Sequence, residues 1–192
     1  MSNYFQKLLS FVLVILVFQG NIQAQTNQQK NTTTCKSRVG NVELQWLKIQ
    51  NVKALKLPAR KGTAKLPLKY SVYTVNNLTL KKYLMSLKAT PGNIALPVGG
   101  DQQCMEVQVS NSGTMSAELA AKFPQIVSLK GNGINDKSST VRLDYDGAVL
   151  NAEIISGGVS YIIGPWKKRS KIYYLLYRKE DSGVKRMPIT ER

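Results

Sequence analysis

Few side chains in this sequence can do chemistry. The 192 residues hold no histidine, two cysteines (Cys35 and Cys104), and 11 acidic residues against 27 Lys and Arg. Without imidazole there is no Ser-His-Asp or Cys-His nucleophile system and no HExxH zinc helix. The two cysteines and carboxylates alone make a poor zinc set. Asp144 and Asp146 are close enough in sequence to divide acid and base roles, but Asp is favoured beside a turn for its own backbone hydrogen bonds. The Asp, Lys and Ser residues of GINDKSS, residues 133–139, are equally ordinary turn formers. The sequence therefore predicts a protein that is not an enzyme and needs no cofactor.

The ends say where such a protein works. Lys7, an apolar run of about 11 residues and the polar stretch ending at Ala24 form a signal peptide, residues 1–24. The run is well short of the ~20 residues that span a bilayer. Export is expected, to the periplasm or the exterior, with no membrane insertion once the signal is cleaved. In that compartment Cys35 and Cys104 are expected to pair. A bridge closing a loop of about 70 residues contributes roughly 4 kcal/mol. The competing reading keeps one thiol free as a metal-directed ligand.

The expected layout is a disordered polar lead-in over 25–39, one folded domain over 40–181 and a loose charged tail over 182–192. Charge is uneven: residues 25–100 carry 13 Lys and Arg and one acid, Glu43, whereas residues 101–192 carry 13 and 10. Such a field steers acidic partners and solubilises. Nucleic acid is not expected, because export is predicted and no basic stripe is interleaved with stacking aromatics.

The elements follow from periodicity. Val42, Leu44 and Trp46 alternate with Glu43, Gln45 and Leu47, and Leu66 to Thr74 is rich in aromatic and β-branched residues; both predict strands. Asn76-Asn77 offers an N-cap to a helix with Leu80, Tyr83, Leu84 and Leu87 on one face, ended by Pro91-Gly92. Met105, Val107 and Val109 alternate with Glu106 and Gln108. Ser116 caps a second, short helix that Pro124 stops. A short apolar strand follows, with a turn at Gly131-Asn132-Gly133. Thr140 to Tyr145, Ala148 to Ile155 and Val159 to Ile163 form a meander through Asp146-Gly147 and Ser156-Gly157-Gly158, closed by Gly164-Pro165. Lys171 to Arg178 is the last strand. The predicted fold is α+β, mostly antiparallel β of meander or sandwich-like form with two short helices, a single domain after the signal peptide.

The segment from Met115 onward resembles the N-terminal propeptide of secreted bacterial reprolysin-like zinc metalloproteases. The resemblance rests on Met115, Leu119, Phe123, Pro124 and Ile126 in the helix-plus-strand segment, and on Gly131, Gly133 and Asp136 in the glycine turn. Arg142 in the following strand, Tyr161 and Pro165 complete it. It covers roughly residues 40–181 and is specific from 113 to 181. It implies a β-rich binding module whose partner is a secreted zinc metalloprotease. It also implies that Cys104, beside Asp101, is the residue pair to cap that enzyme's zinc if one does, with Cys35 second. The chain stops at Arg192 without the family's histidine-rich catalytic domain, so no proteolytic residue carries over.

Three readings result. The first is a free-standing propeptide-like inhibitor or folding assistant of a secreted zinc metalloprotease. The second is an N-terminal remnant of a protease precursor with no activity of its own. The third is a basic binding module of the cell envelope.

Overall fold

The computed structural model describes residues 34–57, 66–99 and 104–182. The expected signal peptide, the expected lead-in up to residue 33, Asp101 and the expected tail beyond Ser182 lie outside them. Ten strands form one sheet, β1 (Thr34–Val39), β2 (Val42–Lys48), β3 (Ser71–Thr74), β4 (Gly92–Pro97), β5 (Cys104–Asn111), β6 (Val127–Gly133), β7 (Thr140–Tyr145), β8 (Leu150–Ser156), β9 (Val159–Lys168) and β10 (Lys171–Arg178). Helix α1 (Asn77–Ala89) joins β3 to β4, and helix α2 (Ala117–Lys122) joins β5 to β6. The strand order is β1-β2-β3-β10-β9-β8-β7-β6-β5-β4, every neighbour pair antiparallel. The fold is thus mostly antiparallel β with two helices, as the periodicity predicts, but one sheet curls into a nearly closed barrel instead of two sheets facing each other.

Alternation decides what fills the barrel. Leu44 and Trp46 on β2, Val107 and Val109 on β5, and Tyr174 and Leu176 on β10 all enter one buried cluster, while their sequence neighbours face out. Trp46 meets Tyr174 edge-on, ring centroids 5.2 Å apart at 80°. Helix α1 covers one end. Asn76 Oδ1 accepts from Thr79 N at 3.0 Å, which caps its start. Its predicted face, Leu80, Tyr83, Leu84 and Leu87, is wholly buried, at about 2 kcal/mol per side chain.

The barrel closes at the seam between β1 and β4 with little backbone pairing. Ser37 Oγ accepts from Ala95 N at 2.7 Å. Tyr83 Oη donates to Asn93 O at 2.7 Å. Pro97, the last residue of β4, has no N–H to leave unpaired. The Cys35–Cys104 disulfide ties β1 to β5 across the same seam. Side chains thus occupy edge groups that would otherwise recruit a foreign strand.

Four expectations are corrected. Thr34–Val39 is strand β1, not disordered lead-in: Cys35 is 1% exposed and pairs opposite Trp46. Of Leu66 to Thr74 only Ser71–Thr74 is a strand, because Leu66 and Tyr70 turn to cover a second cluster, Val72, Trp166 and Leu175, on the outside of the barrel. Gly131-Asn132-Gly133 continues β6 and is not a turn. A Cβ at Gly131 would strike the backbone of Gln108, so the glycine is there for close strand approach. Pro165 lies inside β9 rather than ending it. It pairs with Tyr174 of β10, while β8 pairs β9 only as far as Ala152 with Ile163 and Leu150 N donates to Tyr174 Oη at 3.4 Å.

Burial pushes the Tyr174 hydroxyl up to about 12 and raises Tyr73, Tyr83 and Tyr145 as well. Above pH ~10 the unfolded chain loses phenolic protons that the native state keeps. Stability is therefore full below pH ~10 and falls as pH rises toward about 12. Tyr174 alone accounts for about 2–3 kcal/mol of that fall. Urea midpoints measured across that range should decline, and Tyr174→Phe should flatten the decline; an unchanged slope in the variant would contradict the buried position.

Candidate functional site

The resemblance-bearing segment builds an open cleft. After β5, Ser112 N donates to Ser128 O at 2.9 Å, which keeps the chain on the sheet for one residue more. Gly113, at φ +69°, then turns it away. Ser116 Oγ accepts from Leu119 N at 3.3 Å and caps α2, Glu118 sits in the first turn, and Pro124 follows the end, all as predicted. The helix itself is peripheral: none of its residues is buried. Leu119 and Phe123, one helical turn apart, are 48% and 37% exposed.

Between α2 and the outer face of β6 and β7 lies a cleft of about 320 Å³. Met115, Leu119 and Ile126 form its apolar part, and Ser128, Asp144 and Lys88 its polar part. Ser128 Oγ donates to Asp144 Oδ1 at 2.5 Å, and Arg142 Nε donates to Asp144 Oδ2 at 3.0 Å. Lys88 Nζ donates to Pro124 O at 2.9 Å and Ile126 O at 2.8 Å, locking the end of α1 to the segment behind α2. The cleft can seat an apolar side chain against Met115, Leu119 and Ile126 while Asp144 accepts a further hydrogen bond.

The other candidate residues separate into structural roles. Asp144 and Asp146 engage separate partners, Ser128 and Arg142 for the first and the Ala148 and Val149 amides for the second. Asp146 Oδ1 accepts from Val149 N and Ala148 N, both at 2.8 Å, which holds its carboxyl below the usual range, with Lys167 adding a smaller pull. Asp136 closes the β6–β7 connection, accepting from Ser138 Oγ at 2.6 Å and from the Ser139 hydroxyl; these bonds hold its carboxyl low too. Gly133 packs its Cα face against Asp136 O. Tyr161 is buried with its ring packed against Gly99. Cys104 is bonded to Cys35, so it offers no thiolate to a zinc ion, and the expectation of a Cys104 zinc cap is corrected. Among the described residues no group of three or more His, Cys, Asp or Glu side chains could hold a metal ion.

Of the resemblance residues, Met115, Leu119 and Ile126 line the cleft and Arg142 reaches it through Asp144. Sequence reasoning missed Ser128 and Lys88. Both are unremarkable in their own segments and acquire partners only through the packing of α1 and β7. The disulfide points to an oxidising, extracytoplasmic setting, and among the described residues no helix is long and apolar enough to cross a membrane. No protein-family model, curated protein or solved structure matches this chain.

Proposed function

We propose that the chain is an exported binding protein, a propeptide-like module that engages a secreted zinc metalloprotease in trans and either inhibits it or assists its folding. The α2 cleft and the exposed Leu119 and Phe123 are its contact surface. The observation that carries this reading is the exposure of Leu119, on a helix with no buried residue, and of Phe123, which caps that helix's end; Leu119 lines the cleft with the resemblance residues Met115 and Ile126. Large apolar side chains grouped on the surface mark an interaction site. With Cys104 in the disulfide, binding proceeds by surface complementarity rather than through a thiolate on the enzyme's zinc. The partner class itself rests on the propeptide resemblance.

The test is inhibition and pull-down of secreted metalloproteases from the same source by the purified protein. Stoichiometric binding is expected. Leu119→Asp with Phe123→Asp should weaken it at least tenfold, the scale of losing a hot-spot pair. The folded state should change by under about 0.5 kcal/mol per site, as for other exposed positions. No binding to any such enzyme overturns the reading.

A further inference from the structure

The hairpin joining β9 to β10 breaks several local rules at one place. Lys168 and Lys171 are directly paired across the strands, and like charges opposite one another destabilise a hairpin. Arg169, the first residue of its two-residue turn, has φ +53°, a conformation that glycine and asparagine adopt far more readily. Lys167 adds another cation. A distant segment brings more of the same sign. Lys168 Nζ donates to Leu55 O, 113 residues away in sequence, which fixes the turn Lys53–Leu55 against the hairpin. Lys56, immediately after that turn, is also left-handed, at φ +43°. Lys56 and Arg169 are the non-glycine residues with positive φ among those described, and both are cations on this one surface.

Strain and like-charge crowding persist where they serve a function. Little neutralises the charge here. Asp146 lies near enough to Lys167 to be influenced by it, and none of the ion pairs among the described residues involves Lys53, Lys56, Lys167, Arg169 or Lys171. Lys53, Lys56, Lys167, Arg169 and Lys171 are all exposed on two turns tied together by the Lys168–Leu55 hydrogen bond, so their charges spread over one surface. Lysine predominates, and its compact, hydrated charge suits phosphates without fixed geometry. Tyr173, next in sequence but one to Lys171, packs half-buried against Val72, Trp166 and Leu175, and tyrosine is at home at a membrane interface.

We propose that this basic tip docks the protein peripherally onto an anionic phospholipid surface. The inference is independent of the protease reading: it uses different residues and a different ligand.

The experiment is sedimentation of the purified protein with phosphatidylglycerol–phosphatidylcholine vesicles, against phosphatidylcholine alone, at low and high salt. Binding is expected to the anionic vesicles only, and to weaken with salt. Lys56→Asn with Arg169→Asn removes two charges while placing asparagine where the backbone suits it. Its thermal midpoint should hold or rise while vesicle binding falls about 25-fold, roughly fivefold per cation. If that variant loses stability, Lys53→Gln with Lys171→Gln removes the same charge without touching a left-handed position, and should show the same loss of binding. Lys130→Gln with Lys137→Gln, away from the tip, should change binding by less than about twofold. Equal binding to both vesicle types, an equal loss in that control, or tighter binding to polyglutamate than to vesicles overturns the proposal.

Discussion

Replacing Cys35 and Cys104 together by alanine should lower the stability by about 4 kcal/mol. The bridge spans 69 residues, and removing it returns that loop's entropy to the unfolded chain. In a chain of this size the thermal midpoint should fall by roughly 10 °C or more. The loss should also be local. β1 touches the far edge of the sheet through the disulfide and the Ser37–Ala95 hydrogen bond. Opening the bridge leaves the exposed edges of β1 and β4 to fray, and protease should then cut first in the β1–β2 hairpin. Differential scanning calorimetry and limited proteolysis with and without reductant check both effects. A variant within about 1 kcal/mol of the native protein would mean that the seam is held by its other contacts, against the chain-entropy estimate.

Trp46→Ala should cost about 3–5 kcal/mol, as other large-to-small core changes do. The ring is fully buried, packs edge-on against Tyr174 and shares one buried cluster with the apolar face of α1. Its Nε1–H is buried without a hydrogen-bond partner, a penalty the native state already carries. Trp46→Phe removes that orphan donor while keeping most of the ring, so it should cost under about 1.5 kcal/mol. The gap between the two variants, measured by urea unfolding, distinguishes lost packing from lost polarity. Equal losses would contradict the unpartnered indole.

Some of this was legible from residue order. The buried face of α1, the Ser116 cap, the stop at Pro124 and the Asp146 turn are local effects, set by neighbours within about four residues, and each appears as predicted. The in-out alternation of Met105, Val107 and Val109 is equally local. Reasoning failed where a distant partner decides the outcome. Gly131 and Gly133 have turn composition, yet they continue a strand because β5 crowds Gly131 and the Asp136 loop crowds Gly133. Thr34–Val39 looks too polar to order, yet its pairing with β2 and the disulfide hold it.

The sequence by itself determined the mostly β class, the buried faces of α1, β2 and β5, and the chemistry its missing histidines rule out, because propensity and periodicity act over a single turn or strand. Tertiary structure alone decided three things. It closed the sheet at a side-chain seam, left α2 unburied over the Asp144 cleft, and joined Lys53 and Lys56 of the basic first half to Lys167–Lys171 of the second. Each depends on which strands become neighbours. That choice is made by the burial of the whole core at once, and no local window contains it.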